Sequence, residues 1–448
     1  MISLQIETAT TLGMSFLFSQ GKSFSTSQDI RSYQEQGLNR LLTYLQQLSP
    51  FYQTLFNAKS LNFSKKIFLL EDLASLPFTD KEDLQQRNWD FLCVGKEKVV
   101  EYVTTTGTTG QPVTIALTEN DLQRLAYNEY CSFLQTGISA RDAVLLTVTN
   151  DRCFMAGQAY ALGARKMGAA TIRTGPGLPE LQWDTIARLK PTLLVAVPSF
   201  IVKLIDYAER NGIDYTRSSI KKALCVGEPL RNEHFALNVL GEKIAEKWPI
   251  ELYSTYASTE MATAFTECKF GRGGHLNPEL LIVECVDEEG KAVPEGTIGE
   301  IVVTTLGIEA MPLLRFRTGD MAALHTSTCE CGNPSLRLSP IVGRKKQMVK
   351  YKGTTLYPPS IKDVLHDHGV GDAYYMEVSQ DELGMDKLVV FLPLQLAEKL
   401  KFLQDAFKAR LRVVPILEFI PQQEIDKVRM NPSVRKPIDF IDKRIVNS

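Results

Sequence analysis

The chain has 448 residues, 44% of them hydrophobic and 23% charged, with a net charge of −2. That length exceeds one compact core and predicts two or three domains of ordinary globular composition. The near-neutral balance gives no basis for binding nucleic acid or an anionic membrane surface, and no apolar run is long enough to span a bilayer. The N-terminus carries Glu7, no basic segment and only a short apolar patch near Met14–Phe18, so a secretory leader is not expected. Cysteines 93, 131, 153, 225, 268, 285, 329 and 331 are scattered rather than spaced as a disulfide framework, which suits a reducing cytoplasm.

In chain order, residues 27–57 carry helical spacing through Ile30, Leu38, Leu41, Leu42, Leu45 and Leu48, and Leu73–Asp83 reads as a connector. Val99, Val100, Tyr102 and Val103, and then Val113, Ile115 and Leu117, alternate as two strands. Between them lies Thr104-Thr105-Thr106-Gly107-Thr108-Thr109-Gly110-Gln111-Pro112. A loop of hydroxyls, amides and φ-permissive glycines suits an anion such as a polyphosphate. No Gly-Lys-Ser/Thr follows it, so it is not a Walker A loop.

Thr118-Glu-Asn-Asp121 has capping-box character and predicts a helix over Leu122–Leu134. Strands at 143–148, 169–173, 193–197 and 223–226 then alternate with helices at 157–167, 181–188 and 199–211. That alternation predicts parallel βαβ units with ligands at the carboxyl ends of the strands. From about Leu280 to Met321, turns such as Val293-Pro-Glu-Gly296 separate short strands, as in an antiparallel, barrel-like part. After Gly343 comes a small α/β unit, with strands at 348–351 and 388–392 and helices at 359–366 and 396–412. Residues 344–448 hold 18 Lys plus Arg against 14 Asp plus Glu, a balance of +4 against −2 for the whole chain. The expected division is a large domain over 1–343 and a small mobile lid over 344–448.

Five motifs stand in one order: the threonine loop, Gly227-Glu228-Pro229, Tyr256-Ala257-Ser258-Thr259-Glu260, Arg315-Phe316-Arg317-Thr318-Gly319-Asp320 with Gly343-Arg344, and Arg435-Lys436-Pro437. Together, over roughly residues 50–445, they resemble the adenylate-forming superfamily of acyl-CoA synthetases, in particular its phenylacetate–CoA ligase branch. The resemblance implies an α/β acyl-adenylate synthetase fold. It also implies ATP- and Mg²⁺-dependent activation of a carboxylic acid, aryl or arylacetic, to an acyl-adenylate and then a thioester, with coenzyme A or the phosphopantetheine of a carrier protein as acceptor. A homodimer is compatible with it. A second reading is a nucleotide-binding or zinc-stabilised interaction protein without catalysis.

By the same resemblance Thr104, Thr105, Thr106, Gly107, Thr108 and Thr109 would grip the β- and γ-phosphates, with Gln111 where many relatives have a basic residue. Glu260 would hold Mg²⁺ beside Thr259 near the α-phosphate, since a carboxylate next to a phosphate needs a bridging cation. Gly227, Glu228, Pro229 and Tyr256 would pack on adenine. Asp320, expected to follow a strand at 312–316, would accept the ribose hydroxyls, with Arg344 near it. Lys436 would neutralise charge between carboxylate and α-phosphate, and Lys346 would be the hinge. Phe154–Ala164 matches the acid-binding segment, with alanines at several glycine positions and Ala161 in place of a histidine. Phe154, Gly157, Gln158, Pro198 and Ser199 are the expected acid pocket.

Cys268 and His275, with six residues between them, and Cys329-Glu330-Cys331-Gly332 flank the part built of short strands. Cys₃His suits structural, tetrahedral zinc, with His325 a rival nitrogen ligand and a simple turn with free thiols as the other reading.

Overall fold

The structure, a computed structural model, describes residues 24–63, 67–105, 113–352, 354–380, 385–430 and 437–444. These form two compact units: the chain to Thr318 with Ala322–Ile341, and Gly319–Met321 with Val342 onward.

The first unit opens on α1 (Ser27–Leu48) and α2 (Pro50–Ala58). The single helical stretch expected over 27–57 is split because Pro50 cannot continue a helix but suits a first turn, where Ser49 caps it. The expected connector contains α3 (Lys81–Gln86), capped by Asp80 through the amides of Glu82 and Asp83. Strands β1 (Glu101–Thr104) and β2 (Thr114–Leu117) pair antiparallel on either side of the threonine loop. α4 (Glu119–Thr136) begins at the Thr118 capping box.

Then β3 (Ala143–Leu146), α5 (Met155–Met167), β4 (Ala170–Arg173), α6 (Pro179–Leu189), β5 (Leu193–Ala196), α7 (Pro198–Arg210) and β6 (Lys222–Val226) alternate as anticipated. After α8 (Val239–Lys247) come β7 (Glu251–Ser258), β8 (Thr263–Glu267) and β9 (Gly274–His275). Later segments are β10 (Leu281–Val286), β11 (Gly299–Thr305), β12 (Phe316–Ala322), β13 (Leu324–His325) and β14 (Arg337–Leu338).

The main sheet has nine strands in the order β13-β14-β9-β8-β7-β6-β5-β3-β4. It is parallel from β4 to β7 and antiparallel beyond. Alternate residues of its central strands feed two cores: Leu194 and Ala196 with Trp183, Ile205 and Trp248, and Leu193 and Val195 with Phe133, Tyr160 and Ala164. Helices therefore cover both faces, and β5 reads as a continuous apolar run. β10 and β11 pair antiparallel in a second, four-stranded sheet that β12 joins.

One boundary differs from expectation. The strand expected at 312–316 lies instead at Phe316–Ala322, so Arg317-Thr318-Gly319-Asp320 sits within a strand rather than after one. Polar residues carry no strand periodicity, and Gly319 at φ +74° permits a local distortion that hides the strand from pattern reading.

In the second unit, Asp320 and Met321 pair with Arg344 and Gly343 of β15 (Gly343–Arg344). It continues with β16 (Val349–Tyr351), β17 (Thr354–Leu356), α9 (Pro358–Asp367), β18 (Tyr375–Gln380), β19 (Asp386–Pro393), α10 (Leu400–Leu411), β20 (Ile416–Ile420), α11 (Gln422–Arg429) and β21 (Phe440–Asp442). Its sheet runs β20-β19-β18-β21 over a core that includes Ile361, Tyr374, Val390 and Phe407. The second helix expected there, over 396–412, begins as a 3₁₀ segment, Leu394–Lys399, before α10.

Candidate active site

The turn between β7 and β8 carries Thr259 and Glu260, both half-buried. It is tight: Ala262 sits at φ +45° and the Met261 amide donates to Ser258 Oγ over 3.4 Å. Arg124 of α4, fully buried, holds it from below, with Nη1 donating to the Ala262 carbonyl at 2.8 Å and its other nitrogens to the carbonyls of Leu306 and Leu280. A buried guanidinium spread over three carbonyls satisfies its own donors and rigidifies what it binds. The Glu260 carboxylate faces Lys81, whose Nζ is 3.2 Å from Oε1.

Sequence reasoning passed over Lys81. The signal available was its position: a lysine in the first turn of a helix stands at the positive end of the dipole, where cations are disfavoured. Tyr256, on β7, packs partly buried against the core, its ring 6.0 Å from that of Phe265.

At the base of the threonine loop, the Thr105 amide donates to the Val113 carbonyl, and the Val113 amide donates to Thr105 Oγ1, each at 3.0 Å. The Thr105 hydroxyl therefore closes the loop. The Thr104 amide donates to the Cys153 carbonyl at 2.8 Å, tying β1 to the segment before α5. Thr106, Gly107, Thr108, Thr109 and Lys436 lie outside the described residues.

The carboxylate of Glu228, after β6, accepts from both the amide and the hydroxyl of Ser199, each at 2.9 Å. It thus caps α7 at the turn that Pro198 opens, and the anion complements the helix dipole. Gly227 at φ +81° makes the bend that aims it there, and Pro229 follows, exposed. One residue expected at adenine and one expected at the acid are thereby hydrogen-bonded to each other.

Phe154 is the N-cap residue of α5. Gly157 packs on the backbone of Thr149 and Asn150, where an added Cβ would lie 2.4 Å from the Thr149 oxygen; close approach, not pocket shape alone, requires glycine there. Gln158 Nε2 donates to Glu101 Oε2 at 2.5 Å, and burial raises that carboxyl above its usual range.

In the second unit, Arg344 Nε lies 3.4 Å from Asp320 Oδ1, an ion pair across paired strands. Lys346 is exposed, and its carbonyl accepts from Arg444 Nη2 at 3.2 Å.

Cys268, His275, Cys329 and Cys331 converge, with all their ligand atoms within 4.8 Å of one another. Cys268 follows β8, His275 lies on β9, and the other two occupy the turn between β13 and β14. The sheet brings them together because His275 pairs with Arg337 across β9 and β14. Cys268 Sγ is 3.7 Å from Cys329 Sγ, and Cys331 Sγ is 3.5 Å from His275 Nε2. Burial, then the nearby Arg337 charge, pushes the His275 imidazole down to about 4, which keeps it neutral and able to coordinate. His325 is not in the cluster; its ring packs on Phe235.

The strands that flank the threonine loop and the acidic turn at Glu260 belong to the first unit, and a separate small α/β unit follows. The AMP-binding enzyme family model matches residues 55–309, and the chain belongs to that family. It is 30% identical to the phenylacetate-coenzyme A ligase of Thermus thermophilus over 75% of each chain, and 29% identical to that of Aromatoleum evansii over 82% of each. A solved 2-hydroxyisobutyryl-CoA ligase in the postadenylation state shares the fold, with a TM-score of 0.79 and 20% identity over 93% of this chain and 90% of that one.

Proposed function

We propose that this chain is an AMP-forming acid–thiol ligase: it activates a carboxylic acid with ATP to an acyl-adenylate and transfers the acyl group to a thiol, coenzyme A foremost. The observation that carries this reading is the rigidly held Glu260, on a turn fixed by Arg124, in a chain similar along most of its length to phenylacetate–CoA ligases. Carboxylate and α-phosphate are both anions, so the reaction needs cationic compensation at the point of attack. Glu260 would hold Mg²⁺, which would supply cationic compensation for the phosphates. Thr104–Thr109 hold the polyphosphate, Asp320 the ribose and Lys436 the developing charge at the α-phosphate. Phe154 and Gln158, with alanines where relatives carry glycines, give an acid pocket whose shape differs from that of a phenylacetate site.

The Cys268, His275, Cys329 and Cys331 cluster holds one structural zinc. Three sulfurs and an imidazole would complete a tetrahedral set, which would leave no open position for chemistry. Incubation with ATP, Mg²⁺, coenzyme A and a panel of aryl, arylacetic and aliphatic acids should yield AMP and an acyl-CoA detectable by mass spectrometry. AMP formed with an acid but no thioester would shift the acceptor to a carrier protein.

A further inference from the structure

The seam between α5 and β4 is not packed. Tyr160 and Ala164 of α5 enter the core against the sheet, and Gly163 meets α4 at Glu129, where an added Cβ would come within 2.4 Å. The remaining face, with Gln158, Leu162 and Arg165 at helical spacing, looks across at Thr171 and Arg173 of β4, and between them lies a cavity of about 440 Å³. Helix–sheet seams are normally filled to crystal-like density, and this volume falls in the range of small-ligand pockets, about 300–1,000 Å³. β4 is the edge of the nine-stranded sheet, so among the described residues no strand pairs with its outer side.

Of the cavity's polar groups, Gln158 is bonded to Glu101, while Thr171, Arg165 and Arg173 are not spent on the protein among the described residues. The Thr171 hydroxyl is buried and makes no hydrogen bond among the described residues. Arg165 and Arg173, on its two walls, are exposed, and neither has an ion-pair partner among them. Basic residues that flank one cavity without carboxylates of their own create a field for an anion, and guanidinium forks match carboxylate or phosphate oxygens. Ala161, Leu162 and Ala169 supply an apolar wall. We infer that this seam is a binding site for a small organic anion, with its carboxylate or phosphate on Arg165 and Arg173 and its apolar body against Leu162. Gln158 connects the site to β1 through Glu101, so an occupant touching Gln158 is one hydrogen bond from the strand that leads into the threonine loop.

The test is a fluorescence titration of the full chain with 8-anilinonaphthalene-1-sulfonate, an apolar-bodied anion, which needs no turnover. The wild type should bind it with a component that phenyl phosphate and arylacetates displace and benzyl alcohol does not. That component should weaken at least tenfold in Arg165→Gln/Arg173→Gln and vanish in Leu162→Trp, which fills the cavity. Retention of binding in both variants, or equal displacement by the neutral alcohol, overturns the site. Two sources share this chemistry, and the acid KM for adenylation separates them: a rise in the arginine variant identifies the far end of the acid substrate, and an unchanged KM identifies a separate anionic ligand. Both results rest on the titration having already placed an anion in the seam.

Discussion

Lys81 Nζ stands 3.2 Å from Glu260 Oε1, so the carboxylate proposed to hold magnesium is already neutralised by a lysine from a helix that begins nearly 180 residues earlier. A divalent ion at Glu260 has to share or displace that ammonium. The two groups are 32% and 11% exposed, which places the pair near the protein surface, where an ion pair contributes at most about 1 kcal/mol.

Glu260→Gln keeps the shape and removes the charge. It should lower adenylation by roughly 10²–10³-fold and flatten its dependence on Mg²⁺, in line with loss of a main electrostatic contact in a transition state. Lys81→Met should instead lower the Mg²⁺ concentration for half-maximal activity by up to about fivefold, the equivalent of the pair's contribution. A rise in that concentration would mean that Lys81 works with the metal–polyphosphate complex rather than against it.

The cysteine cluster should carry about one zinc per chain in protein purified without a metal-affinity tag. Removing the metal, or Cys329→Ser, should lower Tm by about 5 °C or more, because binding free energy at a structural site is folding free energy. Turnover per folded molecule should be unaffected. Zinc-free protein of full stability would remove the site from the account.

Glu129 lies fully buried on α4, with Asn128 donating to Oε1 at 2.9 Å and Oε2 unpartnered among the described residues. Tyr160 faces it from α5, and Ser132 lies one turn along its own helix. Burial pushes its carboxyl up to about 7 from an ordinary 4.5. The folded state thus binds the proton more tightly than the unfolded one, and stability from this group is full below about pH 4.5 and lost as pH rises through 7. The loss is roughly 3 kcal/mol. Comparison of Tm for wild type and Glu129→Gln from pH 4.5 to 8 should therefore show the wild type losing ground steadily towards neutrality. Parallel curves would place the carboxyl's titration elsewhere.

The parallel half of the fold could be read from the sequence because its strands are pure apolar runs between amphipathic helices: Leu193–Ala196 has no exposed side chain. The end of the chain could not be read so well. β18, β20 and β21, and α11 with only Ile425 buried, carry mixed patterns, since their strands lie in a thin sheet with one well-covered core. Among the site residues, Cys268, His275, Cys329 and Cys331 announced themselves by residue type, while the sheet register that joins them had no sequence signature. Glu228 is expected at the nucleotide from its motif, whereas its bond to Ser199 depends on a crossover turn that no local pattern encodes. Lys81 was missed because one lysine among 50 Lys and Arg residues is distinguished only by the helix end it occupies.

Lys436→Ala should abolish adenylation through kcat while leaving ATP affinity and Tm close to wild type, because the ammonium acts on charge that develops only in the transition state. Near wild-type activity in this variant would shift the role to Lys427 or Lys443. Lys346→Pro, by contrast, should spare adenylation and cripple thioester formation if the segment after Arg344 must rearrange between half-reactions. Equal loss in both steps would count against a hinge.

The most direct measurement of the central claim is exchange of labelled pyrophosphate into ATP, without coenzyme A, across a library of carboxylic acids. Mg²⁺-dependent exchange is expected with at least one acid, strongest among aryl or arylacetic compounds, together with its loss in both Glu260→Gln and Lys436→Ala. Absence of exchange with every aryl, acyl and amino acid, in protein that is folded and binds ATP, would contradict it.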